Sequence, residues 1–173
     1  MIPDSLPNDS ISNTLIPGAP WVLHGEAALF LASPFRARLL VNYRDSPVGP
    51  YLEHALCEVT RRGPHVFQMS VDLEASKTGG REIWGFPKTL ENLGWKRRGA
   101  GLEFRRESQK FRLRIVGPSF PLALAFFTIQ NLRGADVRVP GTIRARARIG
   151  FRGRQIAVFV EDFEMKFNGP VPL

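Results

Sequence analysis

Residues 79–88 read Gly-Gly-Arg-Glu-Ile-Trp-Gly-Phe-Pro-Lys, and this stretch holds the most distinctive chemistry of the chain. It places Lys88 directly after a Gly-x-Pro bend, with Trp84 and Phe86 on the N-terminal side. A proline fixes its own φ angle and biases the preceding residue toward extended geometry, so Lys88 is expected to leave a stiff, largely apolar turn. Taken alone, these residues also fit a surface lysine whose stem covers the two aromatic rings. The remainder of the chain has to decide between an exposed and an enclosed lysine.

The composition indicates one soluble domain. A chain of 173 residues can bury a core without disulfides or metal ions, and fractions of 43% hydrophobic and 23% charged residues are ordinary for a globular protein. No apolar run approaches the roughly 20 residues of a membrane span, and the N-terminal residues lack a signal-peptide pattern. We therefore expect a cytoplasmic protein without a membrane partner. Cys57 is the only cysteine, which excludes an intrachain disulfide and disfavours a cysteine-based metal site.

Two regions differ in their pattern. Residues 1–20 carry four prolines among Ser, Asn and Asp, which predicts an extended N-terminal arm, and residues 21–173 are predicted to form a single domain. In that domain short alternating segments are separated by turn signals about every 8–12 residues, which indicates a mainly β fold, an antiparallel barrel or sandwich, with few short helices. Two segments stay ambiguous: 21–32 is a buried strand or a short helix, and 122–132 is a strand buried on both faces or a short core helix. The clearer strand-like segments are 35–43, 51–59, 65–73, 102–107, 110–116, 142–151 and 155–167.

The net charge of +8 raises the question of a nucleic-acid partner. Arg144, Arg146 and Arg148 line one face of a strand-like segment, but a nucleic-acid-binding face would add exposed aromatic side chains. The alternate positions are small or aliphatic, so the arginines are expected to form a solvated face or a salt-bridge surface between subunits. The same small residues, Ala145 and Ala147, would leave room for a cavity inside a barrel. No nucleic-acid partner is predicted.

The candidate ligands and nucleophiles other than Lys88 show no functional pattern. His24, His54 and His65 lack a metal-binding spacing and are expected to be ordinary polar or core histidines, so no metal or cofactor site is predicted. Cys57 lacks a local nucleophile signature. Glu53, near the start of a strand-like segment, is the carboxylate that we pair with Lys88, although a surface glutamate is the simpler alternative.

Residues 80–88 resemble the lysine segment of the acetoacetate decarboxylase superfamily, Gly-Arg-Glu-x-x-(Gly/Ala)-(Tyr/Phe)-Pro-Lys, whose lysine forms the Schiff base. Residues 49–53 are similar to the family's Gly-x-Tyr-x-Glu, whose glutamate faces the active site. Residues 68–72 are similar to the strand whose methionine lines the apolar pocket. The lysine segment also resembles that of the short branch that includes the neoxanthin-deficiency-type proteins. The resemblance is colinear from about Trp21 to Phe167.

The resemblance implies a closed β-barrel or cone with a mostly apolar interior, a homo-oligomer, and decarboxylation of a β-keto acid through a Schiff base without any other cofactor. That chemistry requires a free amine, and the family is known for a lysine whose pKa is lowered by desolvation. The implied catalytic residues are Lys88 and Glu53, and the implied substrate pocket comprises Met69, Arg81, Glu82, Trp84 and Phe86.

The sequence departs from the family pattern at three places. Thr89 stands where the decarboxylase has a second lysine, no arginine occurs at residues 24–26, and no glutamate occurs at residues 36–38. The missing arginine removes the expected partner of a substrate carboxylate. The sequence therefore predicts a carbon–carbon lyase that acts on a β-keto acid or related carbonyl compound, by decarboxylation or by aldol or dehydration chemistry. The alternative is a non-catalytic barrel that binds an apolar small molecule.

Overall fold

The computed structural model describes residues 15–173, so residues 1–14 of the predicted arm lie outside the described residues. In this part of the chain no helix is long and apolar enough to cross a membrane. Eleven strands and one α-helix follow one another in the order β1 (Trp21–Ser33), β2 (Arg36–Asp45), β3 (Tyr51–Thr60), β4 (Gly63–Val71), α1 (Glu74–Trp84), β5 (Lys88–Leu90), β6 (Leu93–Arg98), β7 (Gly101–Arg106), β8 (Gln109–Leu132), β9 (Ala135–Arg152), β10 (Gln155–Phe167) and β11 (Val171–Pro172).

The predicted mainly β fold is confirmed, and both ambiguous segments are strands. Residues 21–32 lie in β1 and residues 122–132 lie in β8. The expected burial of residues 122–132 on both faces is wrong, because Leu124 remains 44% exposed and its neighbours Ala123 and Ala125 are exposed as well. Apolar composition alone did not distinguish a half-exposed strand from a buried one.

The strand pairings form a ring. The order is β11-β9-β10-β1-β2-β3-β4-β8-β7-β6, and an additional pairing of β8 with β9 brings the sheet back to its start. Most neighbours are antiparallel, as the alternating segments predicted. The sheet is nevertheless mixed, since both β5 and β8 run parallel to β4. The long ladder between β8 and β9 joins one side of the ring, and a single registered pair, His65 with Ile129, joins β8 to β4 in the described part of the chain.

The first three strands contribute buried residues to both faces of the sheet, which produces two cores. Alternate residues of a strand point to opposite faces. The inner core contains Leu23 of β1 and Tyr43 of β2 together with Met69 and Val71 of β4. The outer core contains Phe30 of β1, Leu40 of β2 and the aromatic residues of the strands that cover them, Phe104, Phe111 and Phe159. Lys88 and Glu53 belong to the inner side of the sheet because they pair with Met69 and Val71, respectively.

Candidate active site

Helix α1 includes residues 79–84, the first part of the stretch that leads to Lys88. The sequence predicted an apolar turn before Lys88, whereas the structure has a helix up to Trp84 followed by a capping turn. Ser76, Gly80 and Trp84 are four residues apart, which places them on one face of the helix, and all three are buried. This face of α1 covers the inner core beside β5.

Gly85 ends the helix in a left-handed conformation with φ of 73°. Its N–H donates to the carbonyl oxygen of Arg81 at 3.1 Å, and the N–H of Phe86 donates to that of Gly80 at 3.1 Å. The bond from Gly85 is that of an αL capping motif, and the two bonds together satisfy two of the last carbonyl groups of the helix. A Cβ atom on Gly85 would lie 2.2 Å from the carbonyl oxygen of Asn131 on β8, so the capping turn fits tightly against that strand.

Gly80 makes room for the lysine. A Cβ atom at this position would lie 2.5 Å from Cδ and 2.6 Å from Cε of Lys88. The aliphatic part of Lys88 therefore passes directly over the helix backbone at Gly80. Pro87 ends the turn, and β5 then begins at Lys88, which lies opposite Met69 on the parallel strand β4.

The amine of Lys88 is enclosed. The residue is 4% exposed, and its Nζ atom lies 3.0 Å from Oε2 of Glu53. The same nitrogen donates to Oγ of Ser76 at 3.0 Å and lies 5.2 Å from the ring centre of Tyr51. The structure thus excludes the surface-lysine interpretation of the sequence.

Glu53 is held on its other oxygen. The residue is 5% exposed, and its Oε1 accepts a hydrogen bond from the Tyr43 hydroxyl at 3.1 Å. Burial raises the pKa of both Tyr43 and Tyr51 well above the ordinary value, and the neighbouring charge of Glu53 raises each pKa further. Both phenols therefore stay protonated at neutral pH, and Tyr43 remains a donor. The carboxylate is left with Oε2 directed at the amine.

The structure separates the predicted pocket residues into two groups. Met69, Trp84 and Phe86 are buried in the inner core. Arg81 and Glu82 are exposed on α1, so they do not line the enclosed site. The motif predicts both as pocket residues, but both lie on the solvent-exposed side of α1.

The aromatic part of the pocket is braced by its neighbours. The ring of Trp84 meets that of Trp21 edge-on, with 5.1 Å between the ring centres, and its Nε1 donates to the carbonyl oxygen of Asn168 at 2.7 Å. Phe86 packs against Phe167 with 5.7 Å between ring centres. These contacts fix the turn that carries Lys88.

Three residues of the site were missed from the sequence: Ser76, Tyr43 and Tyr51. Tyr51 belongs to the Gly-x-Tyr-x-Glu segment, so its place beside Glu53 could have been proposed. Tyr43 is found only through the register of β2 with β3, in which it lies opposite Tyr51. Ser76 could have been found from its four-residue spacing to Gly80, had the helix been predicted.

The histidines and the cysteine do not come together into a further candidate site among the described residues. His24 is half exposed between Asp45 and Glu164, each 3.6 Å away, whereas His54 is fully buried in contact with the outer core. Cys57 packs on the inner core, where burial, and then the charge of Glu53, raise the pKa of its thiol to about 12. A thiol with that pKa is not a nucleophile at neutral pH.

The arrangement can perform nucleophilic and proton-transfer chemistry. An amine and a carboxylate 3.0 Å apart, inside a core that limits water, are chemically able to act as a nucleophile and a base. Thr89, which stands in place of the second lysine, is exposed, and its hydroxyl donates to the carbonyl oxygen of Met69 at 3.2 Å. It adds no charge to the site.

The fold is similar to solved structures of known enzymes. Acetoacetate decarboxylase from Legionella pneumophila subsp. pneumophila str. Philadelphia 1 is 15% identical with a TM-score of 0.65, and the match covers 91% of this chain and 88% of that one. The enduracididine biosynthesis enzyme MppR, in complex with pyruvate, is 12% identical with a TM-score of 0.61, covering 99% and 97%. A further acetoacetate decarboxylase structure is 13% identical with a TM-score of 0.58, covering 95% of both chains.

These similarities confirm the predicted acetoacetate decarboxylase-like fold, and at such low identities they speak for the fold alone. No family model and no curated protein sequence matches the chain significantly.

Proposed function

We propose that the protein is a Schiff-base lyase that acts on a β-keto acid or related carbonyl compound through Lys88. The observation that carries this proposal is the enclosed amine of Lys88, 3.0 Å from the carboxylate of Glu53. The similar folds support it, because they include acetoacetate decarboxylases and an enzyme whose structure contains the keto acid pyruvate.

In the proposed reaction Glu53 accepts a proton from the amine, and the neutral amine then attacks the ketone carbon. The proton passes to the hydroxyl group of the carbinolamine, so that water leaves and an iminium ion forms. For a β-keto acid the bond to the carboxylate carbon then breaks, its electron pair moves into the iminium group, and carbon dioxide leaves. The resulting enamine is protonated at carbon, and hydrolysis returns the ketone and the free amine. Glu53 is placed to accept the proton of the amine and to return a proton to the enamine.

The neighbouring hydroxyl groups have positioning roles in this scheme. Ser76 holds the amine from the helix side at 3.0 Å. Tyr43 occupies Oε1 of Glu53 and so leaves Oε2 for the lysine. The buried side chains of the inner core limit the access of water to the iminium ion, which would otherwise be hydrolysed before the carbon–carbon bond breaks.

The charges at the site indicate which chemical group of a substrate is recognised. Among the described residues, the polar contacts of Lys88 Nζ are with Glu53 and Ser76, and neither is a cation. A substrate carboxylate would therefore be bound without the arginine that the decarboxylase pattern includes. We infer that the carbonyl group is the main recognition element, so aldol or dehydration chemistry on such a compound belongs to the same proposal.

The experiment is reductive trapping. The protein is incubated with acetoacetate, pyruvate or a β-diketone, treated with sodium borohydride, and analysed by intact mass and peptide mapping. We expect an adduct on Lys88, and none in the Lys88→Met variant. Lys77→Met is the matched control, because Lys77 lies on α1, the helix that packs beside Lys88, but pairs with Glu74 at 2.6 Å near the surface.

Two further results bear on the proposal. Glu53→Gln should slow adduct formation by about 100-fold or more, the lower end of the usual contribution of a positioned base. The absence of an adduct with every compound of the panel, or an adduct that persists in Lys88→Met, would overturn the proposal. A co-purifying apolar ligand together with no adduct would favour the non-catalytic alternative.

A further inference from the structure

A second cationic centre lies on the opposite face of the sheet from Lys88. Arg38 is on β2, and its Cζ atom lies 4.6 Å from the ring centre of Phe111 in the outer core. Arg152, at the end of β9, places its Cζ atom 5.6 Å from the same ring and 5.4 Å from the ring of Phe30. The two arginines line one recess of about 140 Å³, and Gln155 also lines it.

Among the described residues, no carboxylate pairs with these arginines. Within residues 15–173 neither Arg38 nor Arg152 forms an ion pair, and Nη1 of Arg38 is buried without a hydrogen-bond partner. Burial lowers the pKa of Arg38, and the charge of Arg152 lowers it further, as expected for two guanidinium groups that face the same space. An unpaired buried donor costs free energy, so its retention calls for a partner.

Two other arginines near the outer core are neutralised. Arg106 bonds to both carboxylate oxygens of Glu91, and Arg97 bonds to Glu26 at 2.8 Å. The recess thus differs from its surroundings, because it brings two cations together and supplies no carboxylate. A wider cleft of about 590 Å³ adjoins it through Arg152 and adds Lys110, which is likewise without an ion pair in the described chain.

We propose that Arg38 and Arg152, with Lys110 at the edge, bind a phosphate-type oxyanion. Guanidinium groups present planar forks of N–H donors that match the oxygens of phosphate, and two such groups facing one recess favour a multiply charged oxyanion over a singly charged ion. Gln155 can add an amide donor, since its Nε2 already reaches the recess wall by donating to the carbonyl oxygen of Leu31. This site is independent of the chemistry proposed for Lys88.

The shape of the site indicates a small phosphate compound rather than a nucleic acid. A recess of about 140 Å³ accommodates one phosphate group. Proteins that bind single strands stack bases on exposed aromatic rings. Here Phe30 and Phe111 are 4% and 6% exposed and lie beneath the guanidinium groups, so they offer no free face to a base.

The test is a titration of the full chain with inorganic phosphate and pyrophosphate at constant ionic strength, followed by arginine Nε–Hε signals in NMR spectra and by thermal unfolding. We expect saturable shifts and a rise in Tm that chloride and acetate at the same ionic strength do not reproduce. Arg38→Gln and Arg152→Gln should each weaken phosphate binding at least about tenfold. Arg152 is exposed, so its replacement leaves the fold intact.

Arg138→Gln is the matched control. Arg138 is also on β9 and also stacks on a phenylalanine, with 4.2 Å to the ring centre of Phe127, but it is outside the recess. The Arg138→Gln variant should bind phosphate with the same affinity as the unaltered protein. The proposal is overturned if Arg152→Gln and Arg138→Gln bind phosphate with the same affinity, or if phosphate and chloride change the spectra and the Tm equally. It is also overturned if a single-stranded oligonucleotide binds and Arg152→Gln and Arg138→Gln weaken oligonucleotide binding equally.

Discussion

The contact between Lys88 and Glu53 places a cationic and an anionic group where water is scarce. Moving such a pair out of water is costly, and the cost is offset only when the remaining donors and acceptors also find partners. Tyr43 donates to one oxygen of Glu53, and Ser76 contacts the amine from the other side. The position of the Lys88 nitrogen is therefore set by three elements, β3, β5 and α1, rather than by the flexible lysine chain itself.

The sequence could predict the two residues that make this contact, but not the residues that hold them in place. The lysine segment and the Gly-x-Tyr-x-Glu segment each identified one residue by resemblance. Tyr43 requires the register of two strands, which depends on the pairing of the whole sheet. Arg81 is the opposite case, a residue that the motif places in the pocket and the structure places on the exposed side of α1. Membership of a motif does not reveal which side of a helix a residue occupies.

His54 gives a prediction on the pH dependence of stability. It is 0% exposed beside Phe104 and Phe111, and both ring nitrogens lack a partner in the described part of the chain. Burial, and then the charges of Arg38 and Arg106, lower its pKa from the ordinary 6.5 to about 4. Between these values the unfolded chain binds a proton that the folded chain does not bind, so unfolding becomes more favourable as the pH falls.

We expect this contribution to be fully present above pH 6.5 and to fall by about 2–3 kcal/mol by pH 4. Urea unfolding at a series of pH values measures it. His54→Phe keeps an aromatic ring and removes the titrating group, so its free energy of unfolding should change less over the same range. An identical pH slope in the two proteins would contradict the assignment to His54.

At the level of elements, α1 is where sequence reasoning failed most clearly. Each glycine in a helix interior costs about 1 kcal/mol relative to alanine, which made residues 79–80 unlike a helix. Gly79 and Gly80 are required by packing instead. A Cβ on Gly79 would lie 2.7 Å from the ring of Trp21, and one on Gly80 would meet the side chain of Lys88. Tertiary contacts thus override local propensity at the residues that form the site.

The capping turn of α1 yields a second prediction, on the variant Gly85→Ala. Gly85 has φ of 73°, and an added Cβ would lie 2.2 Å from the carbonyl oxygen of Asn131, a backbone atom that cannot rotate away. Gly134 is the matched control, since its φ is 86° but nothing lies within 4 Å of an added Cβ. Urea unfolding of both alanine variants separates backbone strain from steric clash.

Gly134→Ala should cost the left-handed strain alone, about 1–2 kcal/mol. Gly85→Ala should cost at least about 3 kcal/mol, because β8 must also move away from the helix end. It should in addition reduce borohydride trapping, since the same turn carries Lys88. Equal losses of stability in the two variants would show that α1 and β8 do not fit together as tightly as the structure indicates.

On the scale of the whole molecule, the sequence predicted the class of fold better than its organisation. Alternation identified the strands because one face of each is more apolar than the other. It did not reveal that β1, β2 and β3 contribute buried residues to both faces of the sheet, since polar groups such as His54 and Glu53 occupy buried positions there. The pairing of β4 with β8 joins residues far apart in the chain, and no local signal specifies such a contact.

That pairing leads to the last prediction. The ladder between β8 and β9 extends from Arg114 opposite Phe151 to Leu132 opposite Ala135. In contrast, among the described residues β4 and β8 share one registered pair, His65 with Ile129, reinforced by the His65 Nδ1–H donating to the Ile129 carbonyl oxygen at 2.8 Å. The ring of strands should therefore open first between β4 and β8, because fewer hydrogen bonds must break there.

Hydrogen exchange measured by mass spectrometry tests this expectation in the variant His65→Leu, which removes the side-chain hydrogen bond and should cost about 1 kcal/mol. Exchange should accelerate in residues 63–67 and 127–131, while the pairing of β1 with β10 on the far side of the ring keeps its protection. His24→Leu, at a half-exposed position of β1, serves as the control and should leave exchange between β4 and β8 unchanged. Uniform acceleration across all strands would mean that the ring unfolds as a unit, and a local opening between β4 and β8 would then be ruled out as the first step of unfolding.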